Sequence, residues 1–394
     1  MLKGEKYVIL RSREIMVPTI ENLGIRSAVR SVELEPEEME VAAAELSLAE
    51  RSDLRRDPRT RAIAPSMPMK LIEPVASKEV TSSPTALTWG VEAVGAAKSS
   101  FDGSGITVAV LDTGIDPNHP AFAGVDLVQR NFTSEADNDL NGHGTHCAGT
   151  ILGQDVGGTR IGVARNVKRA LIGKVLGDGG GSSITIAQAI QWAVNEGAHV
   201  ISMSLGIDFP GLVQFLVEAR GVPANVATSL ALEAYRANVN LFTELSRFVQ
   251  AHGAFGEGTV IVAASGNESN RPNFEISVAP PAAGTGIIAV GALQATANGF
   301  AVAGFSNDQV DISAPGVDVI SAQANGSLVS FNGTSMATPH VAGVAALWAQ
   351  RQLERTGGIN QQRLMAQLIA SGTTSPLAPD QETDNVGAGI VQAP

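Results

Sequence analysis

From Trp89 onward, short apolar runs alternate with longer runs of helical spacing, and this rhythm limits what the 394-residue chain can fold into. Strand candidates fall at 106–111, 169–175, 198–205, 259–264 and 286–291, and helical ones at 143–153, 183–196, 228–252 and 335–355. Val108-Ala109-Val110-Leu111 and Val260-Ile261-Val262-Ala263-Ala264 lack polar alternation, as expected of strands covered on both faces. Such alternation predicts an α/β fold: a doubly wound, mostly parallel sheet flanked by helices. A content of 44% hydrophobic and 17% charged residues suits a large buried sheet. Sheets of this kind carry their sites at the carboxyl ends of their strands.

Polar groups stand where such ends should be. Asp112 closes the first apolar run and precedes Thr113-Gly114. His143 lies between Gly142 and Gly144 and opens the small, apolar run through Ile151. Ser335 sits in Asn332-Gly333-Thr334-Ser335-Met336-Ala337-Thr338-Pro339-His340, a glycine turn leading into a helical run. A serine hydroxyl is a poor nucleophile at neutral pH. It needs a base within hydrogen-bond reach, and the base needs a carboxylate to fix its tautomer. Taken singly, the three residues read as a strand cap, a loop histidine and a helix cap. Together, in the order Asp, His, Ser and without a Gly-x-Ser-x-Gly elbow, they point to nucleophilic catalysis.

Asp112-Thr113-Gly114, His143-Gly144-Thr145-His146 and Gly333-Thr334-Ser335-Met336-Ala337-Thr338-Pro339 closely resemble the three signatures of the subtilases, subtilisin-like serine proteases. The resemblance runs from about Trp89 to the C-terminus. It implies a serine endopeptidase with Asp112, His143 and Ser335 as catalytic residues and Asn267 as oxyanion donor. It also implies a cleft in which a peptide is added as an extended strand. One edge would be Ser204, Leu205 and Gly206; the opposite edge would be Gly179, Gly180 and Gly181. Ala263, Ala264, Ser265 and Gly266 would wall the first specificity pocket. These small residues, with no obvious acid at the base, suggest a broad or hydrophobic preference. Ser277-Val278-Ala279-Pro280-Pro281 resembles the segment that closes the pocket, and Pro281 is a candidate cis bond. No cofactor is required. The family often holds structural calcium, but Gln154–Arg160 is short with one carboxylate, and Asp137-Asn138-Asp139 reads better as a solvated acidic turn than as a cation site. No metal ligand is assigned.

Residues 1–75 differ from the rest. Lys6–Leu10 and Arg30–Leu34 read as strands, Glu35–Leu46 as a helix, and Ala62–Ile72 as an extended tail. By position this small α+β unit resembles a subtilase propeptide, a zymogen segment that the enzyme removes from itself. Residues 76–88 read as a linker carrying the processing site. Asp208 to about Leu230 is extra to the compact pattern. Phe209–Val217 reads as an amphipathic helix able to wall or gate the cleft, and Leu232, Tyr235, Val239, Phe242, Leu245 and Val249 form a core-facing stripe.

Net charge −12 argues against a nucleic-acid partner, and no apolar run is long enough to span a membrane. The expected partners are polypeptide substrates and the chain's own propeptide, with the protein a monomer. The single cysteine, Cys147, excludes an intramolecular disulfide and reads as a small buried hydrophobe. The first residues form no continuous apolar run, so no secretory signal is expected: the protein is cytoplasmic or leaves by another route. Two rival readings are a processing protease dedicated to one partner and a catalytically silent binding module. Self-cleavage between about 73 and 90 would argue against the second.

Overall fold

The computed structural model describes residues 6–12, 39–79, 86–253 and 258–394. Its centre is an eight-stranded sheet. The strands Asp126–Asn131, Arg169–Lys174, Thr107–Asp112, Val200–Met203, Val260–Ala264 and Ile288–Thr296 lie side by side and parallel, in that spatial order. Ile312–Pro315 adds to Ile288–Thr296 in parallel, and Gly299–Val302 returns antiparallel on the same strand.

Because side chains alternate across a strand, each unbroken apolar run feeds two cores. Val108 and Val110 pack with Cys147, Ile151 and Val341, on the side of helices His143–Leu152 and Thr334–Thr356. Ala109 and Leu111 pack with Ile186, Ile190 and Phe242, on the side of helices Ser183–Asn195 and Ala224–Gly253. Each predicted strand and helix of this region is present within a few residues of its expected place. The strands Asp126–Asn131, Val319–Ala322 and Leu328–Asn332 and the helix Gln361–Ala370 were not read from the sequence.

The N-terminal part departs more. Lys6–Ser12 is a strand as expected, but Met39–Glu45, read as helix, is its antiparallel partner, in register from Lys6↔Glu45 to Ser12↔Met39. A run of glutamate and alanine has no strand propensity of its own; the pairing overrides it. The helix lies later, at Leu48–Arg56, opened by Ser47 and Glu50 in a reciprocal capping box. Thr60–Pro65 completes this three-stranded sheet. The expected strand Arg30–Leu34 falls outside the described residues. Val8, Leu10, Ala62 and Ala64 join the core that holds Ile186 and Phe242, so the small sheet sits on helices Ser183–Asn195 and Ala224–Gly253. There Asn238, fully buried, donates to the Pro65 carbonyl at 2.9 Å.

The extra segment forms a helix, Phe209–Glu218, as expected, and the long helix starts early, at Ala224. Its buried face is only partly the one read: Phe242, Leu245 and Val249 are inside, but Leu232 is 50% exposed. Alanines 227, 231 and 234 take the inner face of that first half. Among the described residues no helix is long and apolar enough to cross a membrane.

Candidate active site

Asp112 is the last residue of its strand and His143 the first of its helix. Asp112 Oδ1 lies 2.8 Å from His143 Nδ1 and also accepts the Thr113 amide at 2.8 Å. A bracket absent from the sequence reading fixes the two elements to each other. Thr113 Oγ1 donates to Asp139 Oδ1 at 2.9 Å and accepts the Gly144 amide at 2.9 Å. Asp139 also accepts the Gly142 amide and both the amide and hydroxyl of Thr145. Its buried carboxylate is thus spent on hydrogen bonds, and the residues do not fit a calcium ion there. Asn138 gives its carbonyl to Lys174 Nζ, and Asp155 pairs with Arg165. Gly144 has no alternative: a Cβ there would lie 2.2 Å from the Gly114 carbonyl oxygen.

His143 is fully buried, which alone would lower its pKa. Burial is the largest single influence, but the adjacent Asp112 carboxylate and, after it, Cys147 together outweigh it and hold the imidazole well above the ordinary histidine value. Burial pushes the Cys147 thiol up. Cys147 is wholly enclosed, 3.4 Å from the Ser335 carbonyl, and behaves as the small hydrophobe expected. His340 is buried and its Nδ1–H donates to the Met336 carbonyl at 2.8 Å; its pKa is lowered to about 4 by burial. His146, against the Val319 carbonyl, is lowered to about 3 by burial and by the neighbouring His143 charge.

Ser335 occupies the first turn of helix Thr334–Thr356, where backbone amides lack intrahelical partners and the helix dipole favours negative charge. Asn267 follows the strand Val260–Ala264. Its Oδ1 accepts both the amide and hydroxyl of Thr334 at 2.9 Å, which turns its NH₂ group toward the cleft. Thr334 is a second positioning residue that the sequence reading passed over.

The cleft holds the protein's own chain. Pro68–Leu71 lies between Leu205–Ile207 and Gly181–Ser182, antiparallel to both. Lys70 faces Gly206, Met69 faces Gly181, and the Ile72 amide reaches the Ser204 carbonyl at 3.4 Å. A Cβ on Gly180 would stand 2.5 Å from the Met69 carbonyl oxygen, so this edge needs glycine for close approach. Gly179, expected at the same edge, instead belongs to the open turn beside it. Ile72 packs over Gly206. Ala263, Ala264, Ser265 and Gly266 are buried at the end of their strand, and the Pro280–Pro281 peptide is cis.

Beyond Ile72 the segment crosses Ser335 and Asn267. Ser335 Oγ donates to the Ile72 carbonyl at 2.9 Å. Asn267 Nδ2 donates to the next carbonyl, that of Glu73, at 2.9 Å. His143 Nε2 is buried and has no hydrogen-bond partner among the described residues. The chain then continues along another edge: Val75 donates to the Asn332 carbonyl, and Ala76–Glu79 pairs antiparallel with Leu328–Asn332. The expected free linker is therefore a bound strand in its first residues, because the Leu328–Asn332 edge offers it a ladder.

A family model described as the subtilase family matches residues 103–389. The chain belongs to the subtilase family. It is a subtilisin-like serine endopeptidase. A thermostable alkaline protease from Halalkalibacterium halodurans is 31% identical over 365 residues, covering 92% of this chain and 86% of that one. Subtilisin BL from Lederbergia lenta is 37% identical over 270 residues, covering 67% and 84%. An alkaline protease from Alkalihalobacillus alcalophilus is 37% identical over 280 residues; the match covers 69% of this chain but only 62% of that longer protein.

Proposed function

We propose that this subtilase is made as a self-inhibited zymogen and cuts peptide bonds through Asp112, His143 and Ser335. Ser335 Oγ attacks the carbonyl carbon of the bound peptide while its proton passes to His143 Nε2. Asp112 accepts a hydrogen bond from His143 Nδ1–H, which stays on the ring, and stabilises the imidazolium. The Asn267 amide and the Ser335 backbone N–H hold the developing oxyanion. The carbon–nitrogen bond breaks, His143 returns the proton to the leaving amine, and an acyl-enzyme remains on Ser335. Water, deprotonated by His143, then releases the acid and restores the serine.

One observation carries the reading: a peptide segment already lies in substrate register across Ser335, and it is residues 68–79 of the same chain. Its pairing with Leu205–Ile207 and the Ser335 contact to the Ile72 carbonyl support Ile72–Glu73 as the bond attacked. The arrangement is bound but not reacting. The Ser335 hydroxyl is engaged by the Ile72 oxygen rather than by His143, and Asn267 holds the carbonyl one residue further on. Self-release therefore requires Asn267 to exchange the Glu73 carbonyl for that of Ile72, a local turn of the peptide at the nucleophile that leaves the Pro68–Leu71 ladder in register. The buried Met69 and Ile72 favour aliphatic side chains at the corresponding substrate positions.

Intact-mass measurement of the wild type beside Ser335→Ala tests this reading. The wild type should yield a fragment beginning at Glu73, and Ser335→Ala should keep its full mass. A Ser335→Ala protein that still divides, or a wild type that neither divides nor cuts any peptide, would overturn it.

A further inference from the structure

In an extended strand residues two apart share a face, so Lys70 points to the same side of the bound segment as Ile72. Its ammonium meets two carboxylates, Asp208 Oδ1 and Glu268 Oε1, each at 3.4 Å. Both acids are held in place by other contacts. Asp208 is the N-cap of the inserted helix Phe209–Glu218; its Oδ1 accepts the Gly211 amide at 3.2 Å, and its own amide donates to the Pro68 carbonyl at 3.1 Å. It thus contacts both the backbone and a side chain of the bound segment. Glu268 Oε2 accepts Asn307 Nδ2 at 2.8 Å, and Asn307 Oδ1 takes the Glu268 and Ser269 amides at 3.1 Å. Asn307 is fully buried, so the carboxylate next to Asn267 stands on a rigid support.

We infer that Asp208 and Glu268 form a subsite for a basic side chain three residues before the cut bond, so that lysine or arginine is favoured there. Lys70 is the occupant the protein supplies for itself. The inference rests on the endopeptidase reading above. It gives the insertion a role in specificity, since Asp208 begins it. The side chains of Lys70, Asp208 and Glu268 are 40%, 31% and 39% exposed, so each pair is partly screened and the preference should be modest.

The test is kcat/KM of the full-length chain on peptides Met-Xaa-Leu-Ile-Glu with Xaa as lysine, glutamine or glutamate. The protein's own segment competes equally with all three, so their ratios report the subsite. Lysine should exceed glutamine about fivefold and glutamate about tenfold, on the scale of two exposed ion pairs. Raising the ionic strength should shrink both ratios. In Asp208→Asn/Glu268→Gln the ratios should fall toward one, and in Glu268→Lys the glutamate peptide should be cut faster than the lysine peptide. Equal cutting of the three by the wild type, or ratios unchanged in the double variant, would overturn the subsite and leave the endopeptidase reading intact. A chain that cuts none of them would overturn that reading, and the subsite with it.

Discussion

The two halves of the bound segment are held differently. On the amino side of Ile72, Pro68–Leu71 is gripped from both edges, by Leu205–Ile207 and by Gly181–Ser182, with Met69 and Leu71 buried and Lys70 between two acids. On the carboxyl side, among the described residues, Ala76–Glu79 pairs along one edge only, with Leu328–Asn332. The lesson is one of retention. In the proposed self-cleavage, the half that would stay attached to Ser335 as acyl-enzyme is bound in a two-sided slot, whereas the half that would leave as an amine is bound on one side. That asymmetry suits a zymogen in which the products of the first cut are not released together.

The comparison can be broken at its centre by Ser335→Ala, the largest expected effect. Peptidase activity should fall by about 10⁶, the size of the loss in a subtilisin, and the two halves should stay on one uncut chain. Next is Asn267→Ala, which removes the amide donor shared by the oxyanion and the Glu73 carbonyl; kcat should fall by roughly 10²–10³. A peptide-length series then weighs the halves directly. Removing the residues equivalent to 68–71 should lower kcat/KM by about 10², and removing those equivalent to 76–79 by less than about tenfold, since a one-edged ladder forms fewer main-chain bonds. Equal losses would erase the distinction.

The smallest effect is in pH. His143 must be neutral to take the serine proton, and Asp112 holds its pKa well above 6.5. Activity should therefore be lost as pH falls through that raised value, with the acid limb of the rate profile on the alkaline side of 6.5. Asp112→Asn removes the largest raising influence, so its residual activity should show an acid limb at lower pH. An unchanged limb would mean that another group sets it.

Much of the site was legible because its chemistry is carried by residues at strand ends and a helix start. Asp112, His143, Asn267 and Ser335 each stand where an apolar run stops or a glycine turn opens, and the parallel sheet brings those ends together. Thr113, Asp139 and Thr334 were not legible. Their roles lie in hydrogen bonds across 26, 31 and 67 residues of chain, and nothing about a threonine or aspartate in sequence names its partner. Asp139 shows the hazard of reading composition alone: the sequence suggests a solvated acidic turn, yet Asp139 is buried and its oxygens are committed to Thr113, Gly142 and Thr145.

Met39–Glu45 and Leu232 show the same limit in the fold. Alanine and glutamate favour helix locally, but the unpaired edge of Lys6–Ser12 outweighs a preference of tenths of a kcal/mol per residue. Leu232 fits a helical stripe by spacing and points to solvent, because Ala227, Ala231 and Ala234 form the inner face there.

Uninterrupted apolar strands, which only burial on both faces can satisfy, were enough to specify the parallel sheet, and the residue types that serine chemistry requires were enough to single out Asp112, His143 and Ser335 as the proposed catalytic set. Tertiary structure alone decided what fills the cleft. A stretch as plain as Met-Lys-Leu-Ile-Glu carries no signal of its own. It becomes a pseudo-substrate because the two cleft edges offer unpaired backbone groups at strand spacing, and because Asp208 and Glu268, far apart in the chain, converge on the one lysine among those residues.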